Sequence, residues 1–279
     1  MMLHARIAAV QMVSGPDIAQ NLRDAGRLVA EAAARGARLV ALPEYFPLIS
    51  ASETDKVRAR EKDGAGPLQD FLRETALRHK VWLVGGSIPL EASAPDKVRN
   101  CCMVFDDAGR RVARYDKIHL FGFQQGTELY NESRTIEAGS DVVVFDSPVG
   151  RVGLSICYDL RFPELYRSMG PVDLLVVPSA FTHTTGQAHW ELLLRARAVE
   201  NLCYVLASAQ GGTHPSGRQT WGDSMVVDPW GGVLERLAKG PGVVSAEMDP
   251  ARIADLRASL PALEHRKIEV SGFGLRVAS

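Results

Sequence analysis

The chain has 279 residues, 46% hydrophobic and 23% charged, with 32 Lys+Arg against 33 Asp+Glu. That length buries a sizeable core, and a charge balance so near zero excludes a general attraction to phosphate backbones or anionic lipid. No basic run marks a nucleic-acid face, and no apolar stretch reaches the roughly 18 to 20 residues of a membrane helix.

Residues 1–6 lead straight into a strand-like run without a secretory apolar core. The four cysteines, Cys101, Cys102, Cys157 and Cys203, form no CxxC pair and are too few to staple a fold of this size. A reduced, cytoplasmic protein without membrane or nucleic-acid partners is expected.

In chain order, 6–11 (RIAAVQ) reads as a short apolar strand and 17–34 as a helix with Ile18, Leu22, Ala25 and Val29 on one face, ended by Gly36. The run 37–42 (ARLVAL) is almost wholly apolar, as in a sheet covered on both faces. Pro67 starts a second helix, and 81–87 (VWLVGGS) is the next strand. Strands 101–105 and 111–115 flank a DDAG turn, and strands 142–145 and 152–156 flank SPVG. A short helix at 162–169, a buried strand at 174–177, a helix at 189–201 and a strand at 203–209 follow. A hairpin of 225–228 and 232–236 and a last helix at 250–260 close the pattern.

The two halves echo one another. LVALPE, then a helix, then VWLVGGS resembles LLVVPS, then a helix, then YVLAS. Two such halves predict two mixed sheets face to face with helices outside, an α+β single domain over 1–279.

Cys157 stands where the strand 152–156 turns into a helix, followed by the charged Asp159 and Arg161. Such a corner holds a nucleophile rigidly, and a helix start lowers a thiol pKa. The bland alternative is a core cysteine; Asp159 and Arg161 favour a pocket rim. Cys101, Cys102 and Cys203 read as structural, with one of the adjacent pair facing the core. Glu44 ends the buried strand 37–42 after Pro43; burial there would raise its pKa toward that of a general base, whereas a solvent-facing strand end is the competing reading. Lys117, in YDKIHLF, is costly to bury alone and reads by itself as a surface lysine; beside a carboxylate and a thiolate it would hold an oxyanion. His119 shares its strand face. None of the seven histidines makes an HxH or HExxH pair, so no metal site is expected, and no glycine motif implies a nucleotide cofactor.

These residues fall in stretches that resemble the nitrilase, or carbon–nitrogen hydrolase, superfamily nearly end to end. They are LPEYF at 42–46, YDKIHLF at 115–121, GLSICYDLRFPEL at 153–165, TGQAHWE at 185–191, RARAVEN at 195–201 and WGDSMVVDPWG at 221–231. The resemblance implies a four-layer α-β-β-α sandwich and a Glu-Lys-Cys triad carried on Glu44, Lys117 and Cys157. It implies a second glutamate at Glu132, with Glu128 as competitor, and helix-mediated homodimers or larger homo-oligomers.

Within the superfamily the chain is most similar to the Nit group, whose members are amidases on deaminated glutathione. The sibling ω-amidases, acting on α-ketoglutaramate and related monoamides, share most of the motifs. The GFQQG segment at 122–126 departs from the Asp-rich stretch of both, which leaves the choice of substrate open. The implied reaction is hydrolysis of a small carboxylated amide through a cysteine acyl-enzyme, releasing an acid and ammonia, without cofactor. Nitrile or N-carbamoyl hydrolysis and a non-enzymatic scaffold are the competing readings. Tyr158, through its N–H, and Thr182 and His183 are candidate substrate-binding residues. Arg161 and Arg197 are either carboxylate grips or structural partners of Glu164 and Glu200, with Arg161 favoured as structural.

Overall fold

A computed structural model describes residues 4–126, 128–268 and, as backbone, 275–278. Residues 1–3, part of the expected leaderless start, lie outside the described residues.

Two mixed seven-stranded sheets form the centre. In the first, Ala5–Gln11, Ala37–Ala41 and Trp82–Val84 run parallel side by side. Antiparallel Gly242–Met248 flanks them on one edge and Val98–Phe105 on the other. In the second, Gly150–Leu154, Leu174–Ser179 and Tyr204–Ala209 are the parallel centre. The repeat read in the sequence is this correspondence: Leu39 pairs with Trp82 as Leu174 pairs with Tyr204.

The near-absence of polar residues in these strands follows from coverage on both faces. Ile7, Leu39 and Val104 of one sheet meet Val144, Leu154 and Val176 of the other in a common core. Val40, Leu83 and Met103 point the opposite way, toward the helices Ile18–Ala34 and Pro67–His79. The helices Pro163–Ser168 and His183–Asn201 extend the inter-sheet core through Tyr166, Trp190, Leu194 and Ala198. The expected α-β-β-α layering of one α+β domain is therefore observed. Polar ties cross the layers: Ser208 donates to Val10 O at 2.6 Å, and Gln11 accepts from the Ser224 N–H at 2.9 Å.

Several local readings change. Cys101 and Cys102 are both fully buried, one toward each apolar layer, because neither face of their strand meets water. The helix expected at 189–201 begins at His183, capped by the Thr182 hydroxyl. Among the pairings not foreseen are Gly122–Gln125 with Glu128–Asn131, Gly211–Thr213 with Gln219–Trp221, Ile88–Glu91 with Val98–Phe105, and Gly242–Met248 on Ala5–Gln11.

The strand expected over 81–87 stops at Val84 because the chain turns back at Gly86, whose φ is +55°. A Cβ there would lie 2.2 Å from the Pro43 carbonyl oxygen. The next residue, Ser87, accepts the Tyr45 N–H at 2.9 Å through its hydroxyl, so this turn holds the strand end that carries Glu44. Gly86→Ala is expected to cost about 1–3 kcal/mol by overpacking and to lower turnover along with the thermal midpoint. An unchanged midpoint would show that the turn gives way freely.

Candidate active site

Glu44 lies just past the end of Ala37–Ala41 and is 1% exposed. A buried carboxylate needs donors, and three reach it: Lys117 Nζ and Asn100 Nδ2 on Oε1, and the Ala180 N–H on Oε2, each at 2.9 Å. The solvent-facing reading of this glutamate is thus excluded.

Lys117 follows the strand Arg111–Asp116 and is wholly buried instead of standing on a surface edge. Its second partner is Glu132, with Nζ at 2.8 Å from Oε2 and 3.1 Å from Oε1. Burial alone would lower the lysine pKa; Glu132 and then Glu44 outweigh it and raise the value, keeping the ammonium charged. Glu132 also accepts from the Phe121 N–H and the Tyr45 hydroxyl, both at 2.7 Å. Burial pushes its pKa up, but Lys117 dominates and holds it below the ordinary carboxylate range. Glu128, the competitor, lies apart from the lysine and accepts from Thr184 Oγ1 at 3.1 Å.

Cys157 heads the 3-10 turn Cys157–Arg161 beyond the strand Gly150–Leu154, and its φ of +51° is a left-handed conformation that a side chain pays to adopt. Asp159 holds this corner. It accepts from the Ile156 N–H at 2.8 Å, the Tyr115 hydroxyl at 2.7 Å and the His119 N–H at 3.0 Å, and its Oδ1 also lies 2.7 Å from His119 Nδ1. Asp159 is therefore a fully buried tie between the two sheets and not a pocket rim.

The helix-start lowering expected for the thiol is outweighed. Burial, then Glu44, pushes the Cys157 pKa well up, and Lys117 offsets only part of it. A five-residue 3-10 turn carries too small a dipole to reverse burial.

Cys157, Glu44 and Glu132 share a cavity, about 280 Å³ counted with the open solvent at its mouth, with Phe121, Tyr158, Arg161, Thr182 and Arg218. Tyr158 and Thr182 thus line it as expected. His183 is not among its lining residues; its ring stands edge-on to Trp221, 5.3 Å between centroids. Arg161, favoured as structural, instead borders the cavity between the Tyr158 and Phe181 rings, with His189 Nδ1 at 3.2 Å. Arg197 is structural, donating to Leu160 O and to Glu200. Arg218, Asn100 and Tyr45 were not singled out in the sequence: each lies outside the strand-end pattern, and the LPEYF stretch holding Tyr45 was the only available pointer.

Among the described residues no cluster of His, Cys, Asp and Glu side chains is arranged to hold a metal ion, and no helix is long and apolar enough to cross a membrane.

The arrangement pairs a thiol with a buried carboxylate and an ammonium, which suits covalent attack on a carbonyl. Comparison with known proteins agrees. A deaminated glutathione amidase of Synechocystis sp. is 42% identical over 93% of this chain and 97% of its own length. An omega-amidase of Xenopus laevis is 39% identical over 94% and 95%. The crystal structure of the C. elegans NitFhit protein superposes with a TM-score of 0.85 at 38% identity, covering 95% of this chain and 65% of that one. The carbon-nitrogen hydrolase pattern matches residues 6–258, and the chain belongs to that family of hydrolases acting on non-peptide C–N bonds.

Proposed function

We propose that the whole chain, 1–279, is one carbon–nitrogen hydrolase domain that cleaves a carboxylated linear amide through a Cys157 thioester, deaminated glutathione being the favoured substrate. The observation that carries this reading is the buried Glu44–Lys117–Glu132 cluster facing the Cys157 thiol across one small cavity.

Glu44 takes the thiol proton and the sulfur attacks the amide carbonyl. A raised thiol pKa suits this order, since the proton stays on sulfur until a substrate is in place. Lys117 and the Tyr158 N–H hold the oxyanion. Glu132, with Tyr45 behind it, fixes the direction of Nζ. Glu44 then returns the proton to the departing nitrogen. That group is ammonia for a primary amide and an amine for a substituted one, which widens the expected ammonia release. Water activated by Glu44 cleaves the thioester. Arg161 grips a carboxylate on the acyl fragment, and Thr182 shapes the wall beside it.

The omega-amidase reading on α-ketoglutaramate is supported by the relative of that name. A cytoplasmic homo-oligomer is supported by four free thiols and by Leu192 and Val199, exposed seven residues apart on one face of His183–Asn201.

The test is product analysis across deaminated glutathione, α-ketoglutaramate, aliphatic nitriles and N-carbamoyl amino acids. Carboxylated amides are expected to exceed the last two by at least about 100-fold in kcat/KM. Carbon dioxide released with ammonia would assign carbamoyl cleavage instead. No turnover of any of the four by folded protein would leave the scaffold reading.

A further inference from the structure

Two arginines border the cavity, and neither has a carboxylate within ion-pair distance among the described residues. Arg197, a buried arginine, by contrast pairs with Glu200 at 2.8 Å. Arg218 is the more exceptional. It sits at the tip joining Gly211–Thr213 to Gln219–Trp221. Its terminal nitrogen donates to Ala180 O at 3.2 Å, and its guanidinium lies 5.7 Å from the Tyr130 ring centre. Its Nε is buried with no hydrogen-bond partner. A guanidinium presents five N–H donors, and a buried unpaired one is costly.

The same residue borders a second cleft of about 330 Å³. Leu48 and Ile49 give that cleft an apolar side, Ser50 and Ser52 a polar one. Lys56 adds little free charge, since it pairs with Glu53 at 2.6 Å. Arg218 is thus the unspent cation at the junction of the cavity and this cleft. Its position also gives a direction. It is bonded to the carbonyl of Ala180, whose N–H binds Glu44, the group that returns a proton to the departing nitrogen. Arg161, by contrast, lies in the turn that carries the nucleophile.

We propose that Arg218 recognises a carboxylate on the amine fragment of the substrate, which lies along the second cleft. Arg218 then discriminates amides by whether the amine fragment ends in a carboxylate, as that of the substrate favoured above does. This rests on the amidase reading above and deepens it.

Two probes test it: α-ketoglutarate joined through its γ-carboxyl to the nitrogen of alanylglycine, and the same compound with its terminal carboxylate converted to a carboxamide. A charge-assisted fork predicts that wild type prefers the free acid by about 10- to 100-fold in kcat/KM, mostly through KM. In Arg218→Gln that preference should collapse to within about 3-fold, and Arg218→Lys should restore part of it, since lysine keeps the charge without the fork. A wild-type ratio near one, or a ratio unchanged in Arg218→Gln, overturns the proposal. α-Ketoglutaramate turnover separates the two failures: if it proceeds while the ratio is near one, only the Arg218 assignment falls; if wild type hydrolyses none of the three compounds, the amidase reading falls with it.

Discussion

Cys157→Ala should lower turnover on the order of a million-fold, as when a hydrolase loses its nucleophile, while the protein still folds. In the proposed reaction the nucleophile supplies the bond that divides one difficult step into two, and no neighbouring group would replace it. Position 157 holds a left-handed backbone, which an alanine strains as much as a cysteine does and a glycine does not. Cys157→Gly should therefore melt at least as high as Cys157→Ala while being equally inactive. Thermal melts beside a product assay decide this. Residual activity near wild type in either variant would remove the thioester from the reaction.

The second large effect is on stability. Lys117→Met should cost about 3–5 kcal/mol at neutral pH, because it strands two buried carboxylates that now face one cation. The pH dependence follows from the shifts. Glu132 is held below its ordinary 4.5 in the fold, so its contribution is present above that value and is lost as pH falls through the folded pKa. Lys117 is raised, so its contribution is present at neutral pH and lost only as strong alkali passes the folded value. Without the ammonium, Glu132 keeps only the Phe121 N–H and Tyr45 hydroxyl against its burial, and acid then stabilises the variant by neutralising it. The gap between wild type and Lys117→Met, measured by urea unfolding, should be widest near pH 7 and narrow below about pH 5. A gap independent of pH would mean that the lysine acts by packing alone.

Apolar runs and turn residues carried most of the fold. The strands around Leu39, Leu174 and Val205 could be read because both their faces are covered, which leaves unbroken hydrophobic runs. The hairpins at 106–109 and 147–150 carry turn chemistry that needs no tertiary context. What escaped depends on distant partners. Gly86 ends a strand because Pro43 lies over it, 43 residues away in the chain. Lys117 is buried only because Glu44 and Glu132 arrive from separate segments.

At the site, Glu44, Lys117 and Cys157 could be picked out because each interrupts or ends an apolar run. Arg218 sits in a polar turn where an arginine is unremarkable, and only the cavity distinguishes it. Asp159 looked like a rim residue because its four partners come from Tyr115, His119 and Ile156, which local pattern cannot bring together. The direction of the thiol pKa is hidden from local pattern for the same reason: a helix start is a local feature, whereas burial and the Glu44 charge are not.

The two echoing halves are not two copies of a working unit. The acid and the ammonium leave one sheet, the sulfur leaves the other, and the peptide of Ala180 ties them at the seam. On the proposed mechanism, either half alone would carry a base with nothing to activate or a thiol with nothing to take its proton. On that mechanism, chemistry on this scaffold begins only when the sandwich has shut, so whatever slides the layers apart should extinguish the reaction even while every strand keeps its own pairing.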